Sequence, residues 1–470
     1  MTAFFHVFSL HGKQILQPTN GRENKKKKRD CIQMTTWIKR IIAAVIALAM
    51  AVGGFLLFGP KTIRGSDFPT VFVHGYTGWG HYDIHNEDIA YFGLTTGSLE
   101  DALNKKGYDV HMASVGPLSS AWDRACELYA QLTGTRVDYG AAHAKKYGHE
   151  RYGEDFSSEP LLGDYKWSSD HKVNLIGHSF GGTTSRLMED LLADGAPEEV
   201  AACDADGTEV SPLFTGGHGD WVFSITILAT PSNGSTATHM SSSGSSATSS
   251  AAENKNYQAH LEHFGIQSDG HTSESAVAQA ISASGFYSHN DNALADMRVE
   301  RATDMNASIE VQPDVFYLSY YGCRTEEDPS TGNQVPAENM ITYLRDLAAA
   351  MGRFTGTTPS SYTDGFGEYA VTVPVIPQTM GPEWQANDGM VNVYSGRVPY
   401  HLDEKGEKVF DPSTDYTDGM VILPGQWTVM PQLDFDHLSV IGGIFNEKGA
   451  DVRLLYYGMM DRIWSLKRKK

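Results

Sequence analysis

The sequence predicts an α/β fold with a mostly parallel central sheet. Five short apolar runs have the length and composition of buried strands: 70–73, 110–115, 173–176, 222–229 and 315–320. Helical patterns such as 122–132 lie between them, and the run at 173–176 passes through a glycine-rich turn into another helical pattern. Strands that alternate with helices are typical of a parallel sheet covered on both faces.

Length, charge and cysteine content limit the architecture and the class of partner. The 470 residues suffice for one large α/β domain or two ordinary ones. Of 37 Lys/Arg and 57 Asp/Glu, residues 1–65 hold 11 and 2, so the remaining body is strongly acidic, which argues against nucleic acid as a partner. Widely spaced cysteines predict free thiols rather than a disulfide framework: Cys31, Cys126, Cys203 and Cys323.

An apolar segment near the N-terminus has the layout of an export signal. Residues 41–58 contain no polar side chain and follow Lys39 and Arg40. Their 18 residues could also span a bilayer as an anchor, and both interpretations stay open. We therefore expect a secreted protein, or one anchored on the outer face of the cytoplasmic membrane. The expected divisions are an upstream extension or cytoplasmic tail (1–33), a signal or anchor with its linker (34–65) and a catalytic domain (66–470).

The turn after the third apolar run predicts a nucleophile elbow. The order is strand, then Gly177-His178-Ser179-Phe180-Gly181, then helix. In this geometry the serine occupies a strained turn, and the flanking glycines let strand and helix approach closely. The backbone N–H of Phe180 would then point at a substrate oxygen. Because the chain has 47 glycines, an ordinary glycine-rich turn is the alternative.

The first strand predicts a second donor for the same substrate oxygen. Residues 70–73 are followed by His74-Gly75-Tyr76. In α/β-hydrolases the loop after an early strand carries the second oxyanion donor, which here would be the N–H of Tyr76. A plain glycine turn is the alternative.

A serine nucleophile also needs a base and an acid that orients the base. The chain order in this fold is Ser, then Asp or Glu, then His. His437 is the last histidine and fits the base, with a structural loop histidine as the alternative. Asp-Gly-Met-Val occurs twice, at Asp388 and at Asp418, and spacing does not choose between them.

Two regions carry weaker patterns. Residues 235–252 are rich in Ser, Thr, Ala and Gly, which predicts a flexible loop. Residues 270–380 are polar and uneven, and predict helices, loops and one strand.

Seven blocks of sequence carry a family resemblance: 72–80, 115–127, 137–143, 211–218, 227–231, 384–392 and 435–438. Together they resemble the secreted lipases of Gram-positive bacteria, of the thermoalkalophilic Geobacillus and staphylococcal type. The resemblance implies an α/β-hydrolase core that cleaves glyceride esters through an acyl-enzyme. It selects Ser179, Asp388 and His437 as the triad and Tyr76 and Phe180 as the oxyanion donors.

The resemblance also implies a structural zinc on an inserted subdomain. The family binds this ion with two Asp and two His, and three positions match: Asp123, His143 and His149. Glu262 stands at the position of the fourth ligand. Carboxylate oxygen and imidazole nitrogen both suit four-coordinate Zn²⁺. Without the resemblance, the two histidines would more often be solvated surface residues.

The sequence departs from the family at two places. Ser439 and Ile444 stand where the family has acidic ligands for calcium, so we expect no Ca²⁺ site. The loop at 235–252 lies in a shortened lid region without the family's long apolar helix.

These departures leave other functions open. The polar lid region favours, as the main alternative, a carboxylesterase for short-chain or soluble esters. A zinc-dependent hydrolase using Asp123, His143 and His149, and a non-catalytic surface-binding protein, are weaker alternatives.

Overall fold

The computed structural model describes residues 62–83, 89–240, 290–443 and 449–469. Contacts divide the chain into a large unit, Arg64–Lys467, and a second unit of Met1–Ile63 and Arg468–Lys470. The apolar segment 41–58 lies outside the described residues. Among those that are described, no helix has the length and hydropathy to cross a membrane.

A seven-stranded sheet forms the centre of the large unit. In chain order its strands are β1 (Thr70–Val73), β2 (Val110–Ala113), β3 (Val173–His178), β4 (Val222–Leu228), β5 (Phe316–Tyr320), β6 (Ser413–Asp415) and β7 (Trp427–Val429). The spatial order is β6-β7-β5-β4-β3-β1-β2, and all six neighbouring pairs are parallel. Every residue of β1, β3, β4 and β5 is buried, which explains why these strands are near-continuous apolar runs. The predicted mostly parallel sheet is confirmed.

The strand register places the carboxyl ends of the central strands β1, β3 and β4 at the same level. Val73 of β1 pairs with Gly177 of β3, and Gly177 pairs with Ile227 of β4. The carboxyl ends of β1 and β3 are therefore level, so the turns that follow them meet at one edge. Ligands bind at this edge in open parallel sheets.

Helices lie between the strands along the chain, and three of them carry Asp123, His143 and Phe180. The helices are α1 (Leu99–Lys105), α2 (Ala121–Thr133), α3 (Ala141–Tyr147), α4 (Phe180–Asp194), α5 (Pro197–Asp206), α6 (Ala237–Met240), α7 (Ala293–Asp296), α8 (Val299–Met305), α9 (Thr342–Met351), α10 (Val393–Arg397) and α11 (Gly449–Ser465). Short 3₁₀ turns lie at Gly65–Asp67, Pro212–Thr215, Gly219–Trp221, Gly367–Tyr369, Pro382–Trp384 and Ser439–Ile441.

Caps explain where α2 begins and ends. The Ser120 side chain accepts the N–H of Asp123, which satisfies one of the free donors at the first turn. Gly134 closes the helix in the left-handed conformation, with φ of 64°. The observed helix agrees with the predicted 122–132 to within a residue at each end.

The region 270–380 contains more strands than we predict. Its described part has three antiparallel pairs: Thr325–Glu327 with Gln334–Pro336, Gly356–Thr357 with Thr379–Met380, and Ser361–Asp364 with Val371–Pro374. Further strands are Arg136–Asp138 with Tyr152–Asp155, Tyr400–Leu402 with Lys408–Phe410, and Thr62–Arg64 and Lys467–Lys469. The prediction of one strand is wrong because these strands are short and largely exposed, so they leave no apolar run in the sequence.

The first residues of the predicted loop at 235–252 make hydrogen bonds to other segments. Ser235 donates to the carbonyl of Met390, Thr236 accepts and donates at Asn392, and α6 follows. The polar residues at the start of this stretch therefore bind neighbouring segments. Residues 241–252 lie outside the described residues.

The three described cysteines, Cys126, Cys203 and Cys323, are free thiols, as predicted.

Candidate active site

The turn between β3 and α4 has the geometry expected of a nucleophile elbow. Ser179 adopts φ of 54° and ψ of −131°, a backbone conformation that residues other than glycine rarely adopt. A Cβ on Gly177 would lie 2.4 Å from the carbonyl carbon of Gly181, and one on Gly181 would lie 2.2 Å from the carbonyl oxygen of Val73. The two glycines are needed because strand and helix pass this close to each other.

Three side chains from distant parts of the chain form a hydrogen-bonded series. His437 Nε2 lies 2.9 Å from Ser179 Oγ, and His437 Nδ1 lies 2.9 Å from Asp388 Oδ2. All three are buried, with 6, 3 and 1% of Ser179, His437 and Asp388 exposed. Asp418, the other aspartate in an Asp-Gly-Met-Val sequence, is exposed.

Backbone groups hold Asp388 in place. Oδ1 of Asp388 accepts the N–H groups of Met390 (2.9 Å) and Val391 (2.7 Å). The Asp388 carbonyl accepts the N–H of His437 at 2.9 Å. One carboxylate oxygen is thereby fixed by the turn, and the other faces the imidazole.

The two predicted oxyanion donors flank the serine. Phe180 is the first residue of α4, so its N–H has no partner within the helix. On the other side, a Cβ on Gly75 would lie 2.6 Å from the Cβ of Ser179, which puts the loop that follows β1 (residues 74–77, the β1 loop) against Ser179. Tyr76 follows Gly75 in this loop, and Thr77 next to it has φ of 58°.

A fully buried arginine, not predicted from the sequence, links the segments that follow β1 and β2 to α4. Arg124 on α2 donates to the carbonyl of Gly116 (2.9 Å), to the carbonyl of His74 and to Oγ1 of Thr184 on α4 (2.8 Å). Burial lowers the pKa of Arg124 to about 10, although the nearby carboxyl of Glu127 acts in the opposite direction. Among the described residues it forms no ion pair, so carbonyl oxygens stabilise its charge.

Two further histidines next to the site are held neutral. Burial, reinforced by the charge of Arg124, lowers the pKa of His74 to about 3. Burial, reinforced by the neighbouring His437, holds the pKa of His178 well below its usual range.

A second cluster brings together four potential metal ligands. One donor atom from each of Asp123, His143, His149 and Asp291 lies within 4.8 Å of the others. His143 Nε2 is 3.2 Å from Asp123 Oδ1 and 3.3 Å from Asp291 Oδ2, and His149 Nε2 is 3.3 Å from the same Asp291 oxygen. The predicted fourth ligand, Glu262, lies outside the described residues, and Asp291 occupies the fourth place in this group.

The chemistry of the cluster fits a cation. The carboxylate oxygens of Asp123 and Asp291 are buried and accept no hydrogen bond from the described part of the chain. Buried carboxylates without such partners are costly unless a cation compensates them. Burial lowers the pKa of His143, but Asp291 and Asp123 outweigh it and raise the pKa to about 10. Two carboxylates and two imidazoles are a donor set that suits Zn²⁺.

Neighbouring groups orient the two imidazoles. His149 Nδ1 donates to the carbonyl of Glu150 at 2.9 Å, which directs Nε2 into the cluster. The ring of His143 stacks on Trp122, with centroids 5.1 Å apart and planes 9° apart. Glu199, buried on α5, accepts the N–H groups of Ala142 and His143 at 2.8 Å each, which holds the start of α3.

Comparison with known proteins relates the chain to lipases. Residues 66–361 match the family model "Lipase-like, C-terminal domain". The chain is 34% identical to Lipase 2 of Staphylococcus aureus over 406 residues, covering 84% of this chain and 53% of that protein. It is 33% identical to a lipase of Staphylococcus epidermidis over 393 residues, covering 81% and 51%. The chain thus spans about half the length of the curated relatives it matches.

Solved structures show the same architecture. Staphylococcus hyicus lipase superposes with a TM-score of 0.68 at 30% identity, covering 85% of this chain and 96% of that one. EstA from Clostridium botulinum gives 0.69 at 30% identity, covering 87% and 90%. Together with the parallel sheet, these similarities establish the α/β-hydrolase fold.

Proposed function

The chain belongs to the lipase-like family, and from this membership we propose that it is a serine ester hydrolase that cleaves glyceride esters, including triacylglycerols. The observation that carries the proposal is the buried series from Ser179 through His437 to Asp388, with both hydrogen bonds at 2.9 Å. A serine hydroxyl becomes an effective nucleophile when a positioned base accepts its proton.

The proposed reaction has two halves. Ser179 Oγ attacks the ester carbonyl carbon while His437 Nε2 takes the hydroxyl proton, and His437 then passes that proton to the departing alcohol oxygen. The resulting acyl-enzyme is cleaved by water in the same way, with His437 again as base and then acid. The N–H groups of Tyr76 and Phe180 would stabilise the negative oxygen of each tetrahedral intermediate.

Asp388 would stay ionised throughout this cycle. It keeps Nδ1 of His437 protonated and stabilises the imidazolium that forms during each attack. Its two backbone N–H partners support this role, because hydrogen bonds to a carboxylate favour the charged form.

We further propose that the four-ligand cluster binds a structural Zn²⁺ through Asp123, His143, His149 and Asp291. In this assignment Asp291 replaces Glu262 as the fourth ligand. The bound ion would cross-link α2, α3 and the segment before α7, and would not contact the substrate or the reacting atoms. Four protein ligands support a closed structural site, since catalytic zinc sites keep one position open.

The proposal also includes export and a lipid or small ester as substrate. The apolar segment 41–58 supports secretion or anchoring at the outer membrane face. The acidic body argues against nucleic acid as a partner. The absence of a calcium site next to His437 stays a prediction, because Ile444 lies outside the described residues.

Hydrolysis of a p-nitrophenyl ester series, from acetyl to palmitoyl, tests the proposal on the full-length chain and on Ser179→Ala. We expect activity that rises toward long acyl chains and is lost in the variant. Activity confined to short chains would favour the carboxylesterase alternative that the polar sequence at 235–252 suggests. Activity that survives in Ser179→Ala would refute the triad and favour the zinc-dependent hydrolase.

A further inference from the structure

A one-way series of hydrogen bonds joins the β1 loop to the loop of His437. The N–H of Gly75 donates to the Tyr91 oxygen at 3.1 Å, and Tyr91 in turn lies 2.8 Å from Nδ1 of His178. Nε2 of His178 lies 3.1 Å from the backbone carbonyl of His437. We call these four residues the Gly75–His437 chain.

The direction of each bond follows from the groups involved. A carbonyl oxygen can only accept, so Nε2 of His178 must carry the proton that binds His437. Nδ1 of a neutral imidazole then accepts, and the Tyr91 hydroxyl is its donor. The Tyr91 oxygen remains free to accept from Gly75. One tautomer of His178 therefore satisfies every group in the Gly75–His437 chain.

The electrostatic environment keeps this arrangement neutral. Tyr91 is 7% exposed and His178 is fully buried. Burial raises the pKa of the Tyr91 hydroxyl above its usual range, so the group keeps its proton. Burial and the neighbouring His437 hold the pKa of His178 well below its usual range, so its ring stays neutral.

The two ends of the Gly75–His437 chain of hydrogen bonds lie on either side of Ser179. At one end, Gly75 packs so closely that an added Cβ would lie 2.6 Å from the Cβ of Ser179 and 2.9 Å from the Tyr91 oxygen. Gly75 directly precedes Tyr76, the proposed oxyanion donor. At the other end, His437 presents Nε2 to Ser179 at 2.9 Å.

We infer that Tyr91 is a positioning residue for ester hydrolysis: acting through His178, it fixes the oxyanion loop at Gly75 relative to His437. The inference rests on the proposed function. Donors aimed at the developing oxyanion stabilise the transition state more than the bound substrate, and they do so only when held in place. Loss of the Tyr91 hydroxyl should therefore lower kcat and leave KM nearly unchanged.

The aromatic packing of Tyr91 can be separated from its hydrogen bonds. Its ring lies edge-on to Trp79 (5.4 Å) and Phe92 (5.1 Å), and a phenylalanine would retain both contacts. Tyr456 provides a matched control, since it is buried and lies 6.4 Å from Phe92 in the same aromatic cluster. The Tyr456 hydroxyl makes no hydrogen bond within the part of the chain that is described.

The test compares Tyr91→Phe with Tyr456→Phe in the full-length chain, using p-nitrophenyl butyrate and a trifluoromethyl ketone as transition-state analogue. For Tyr91→Phe we expect kcat to fall roughly tenfold, less than the loss of an entire oxyanion donor. The ketone should bind to Tyr91→Phe more weakly by the same factor, and KM should stay nearly unchanged. Tyr456→Phe should keep the wild-type kcat. Equal kcat values in the two variants would overturn the inference. So would a Tyr91→Phe variant with a raised KM and an unchanged kcat.

A second pair decides the question if Tyr91→Phe does not fold. Glutamine at position 178 offers one donor and one acceptor, whereas leucine offers neither. We expect His178→Gln to retain a several-fold higher kcat than His178→Leu, and equal values would refute the role of the chain. Fluorophosphonate labelling of the wild type separates the two proposals, because unlabelled Ser179 would contradict the proposed function itself.

Discussion

Asp123 and Arg124 are consecutive residues of α2 that serve different sites. The Asp123 carboxylate faces the metal cluster, 3.2 Å from His143 Nε2. The Arg124 guanidinium instead donates to the carbonyls of His74 and Gly116, in the segments that follow β1 and β2. The first turn of α2 therefore connects the proposed zinc ion to the loops around the oxyanion donors.

The metal assignment predicts different outcomes for two acidic residues. We expect Asp291→Asn to lower the zinc affinity because a negatively charged ligand is lost. Loss of a residue that only supports a ligand costs on the order of 10–100-fold in affinity, and loss of the ligand itself should cost at least as much. Glu262→Gln is the matched control and should bind zinc as the wild type does. Zinc content after dialysis against graded chelator measures both. Weakened binding in Glu262→Gln alone would reverse the assignment.

Removal of the metal should affect both stability and catalysis. Loss of an ion that binds only the folded state removes its contribution to stability, so we expect a lower Tm after chelation. Because Arg124 follows Asp123 on α2, kcat should also fall at temperatures where the apo protein remains folded. Near-ultraviolet circular dichroism and ester hydrolysis on the same sample test this. An apo protein with a lower Tm and full kcat would show that the metal cluster and the contacts of Arg124 are independent.

Arg124→Met should lower kcat because the buried hydrogen bonds of the guanidinium are lost. Methionine preserves part of the apolar stem, but the carbonyls of His74 and Gly116 lose a buried donor, at about 1–3 kcal/mol for each group left unsatisfied. Both kcat and Tm should fall. Arg397→Met, at an exposed arginine paired with exposed Asp415, is the control and should change neither. Full kcat in a destabilised Arg124→Met would limit this arginine to folding.

The two Asp-Gly-Met-Val sequences make the acid testable by paired substitution. Asp388→Asn should reduce kcat by on the order of 10⁴-fold, because the amide no longer holds the required tautomer of His437. Asp418→Asn should retain wild-type kcat, since Asp418 is exposed. Steady-state kinetics on one ester suffice. Comparable losses in both variants would argue against Asp388 as the orienting acid.

Glu127 should make stability depend on pH. Burial raises the pKa of its carboxyl from 4.5 to about 8, although the N–H of Gly116 acts in the opposite direction. Between these values the folded chain retains a proton that the unfolded chain releases. The free energy of unfolding therefore decreases as pH rises through this range. Below the unfolded value both states are protonated and the effect vanishes.

Glu127→Gln should remove this dependence, because an amide still accepts the N–H of Gly116 and never ionises. Relative to the wild type, the variant should be similar at about pH 5 and more stable at about pH 9, by roughly 1.4 kcal/mol for each unit of pKa shift. Urea unfolding at both pH values measures the difference. Glu338→Gln, at an exposed position, should be neutral at both. A parallel pH profile for Glu127→Gln and wild type would contradict the prediction.

The sequence predicts the parts of the fold that depend on local pattern. The central strands of the sheet are buried on both faces and therefore appear as apolar runs, and α2 is bounded by Ser120 and Gly134. The exposed strands such as Ser361–Asp364 escape prediction because their pairing with Val371–Pro374 buries little apolar surface.

The site shows the same division. The elbow is recognisable because Ser179 lies between a strand and a helix that are adjacent in sequence. Asp291 is not, since it stands in a polar stretch and joins His143 only through the fold. Arg124 is equally hidden: a charged residue on a helix normally faces solvent, and nothing local indicates that its guanidinium is buried against carbonyls.

The separation of 258 residues between Ser179 and His437 has a consequence for biosynthesis. During translation Ser179 and the two proposed oxyanion donors, Tyr76 and Phe180, are made long before His437, the proposed base. A nascent chain that has not yet reached residue 437 lacks the group proposed to activate Ser179, however well its first strands have folded. On the proposed function, ester hydrolysis would therefore arise only late in synthesis, after most of the sheet has been made.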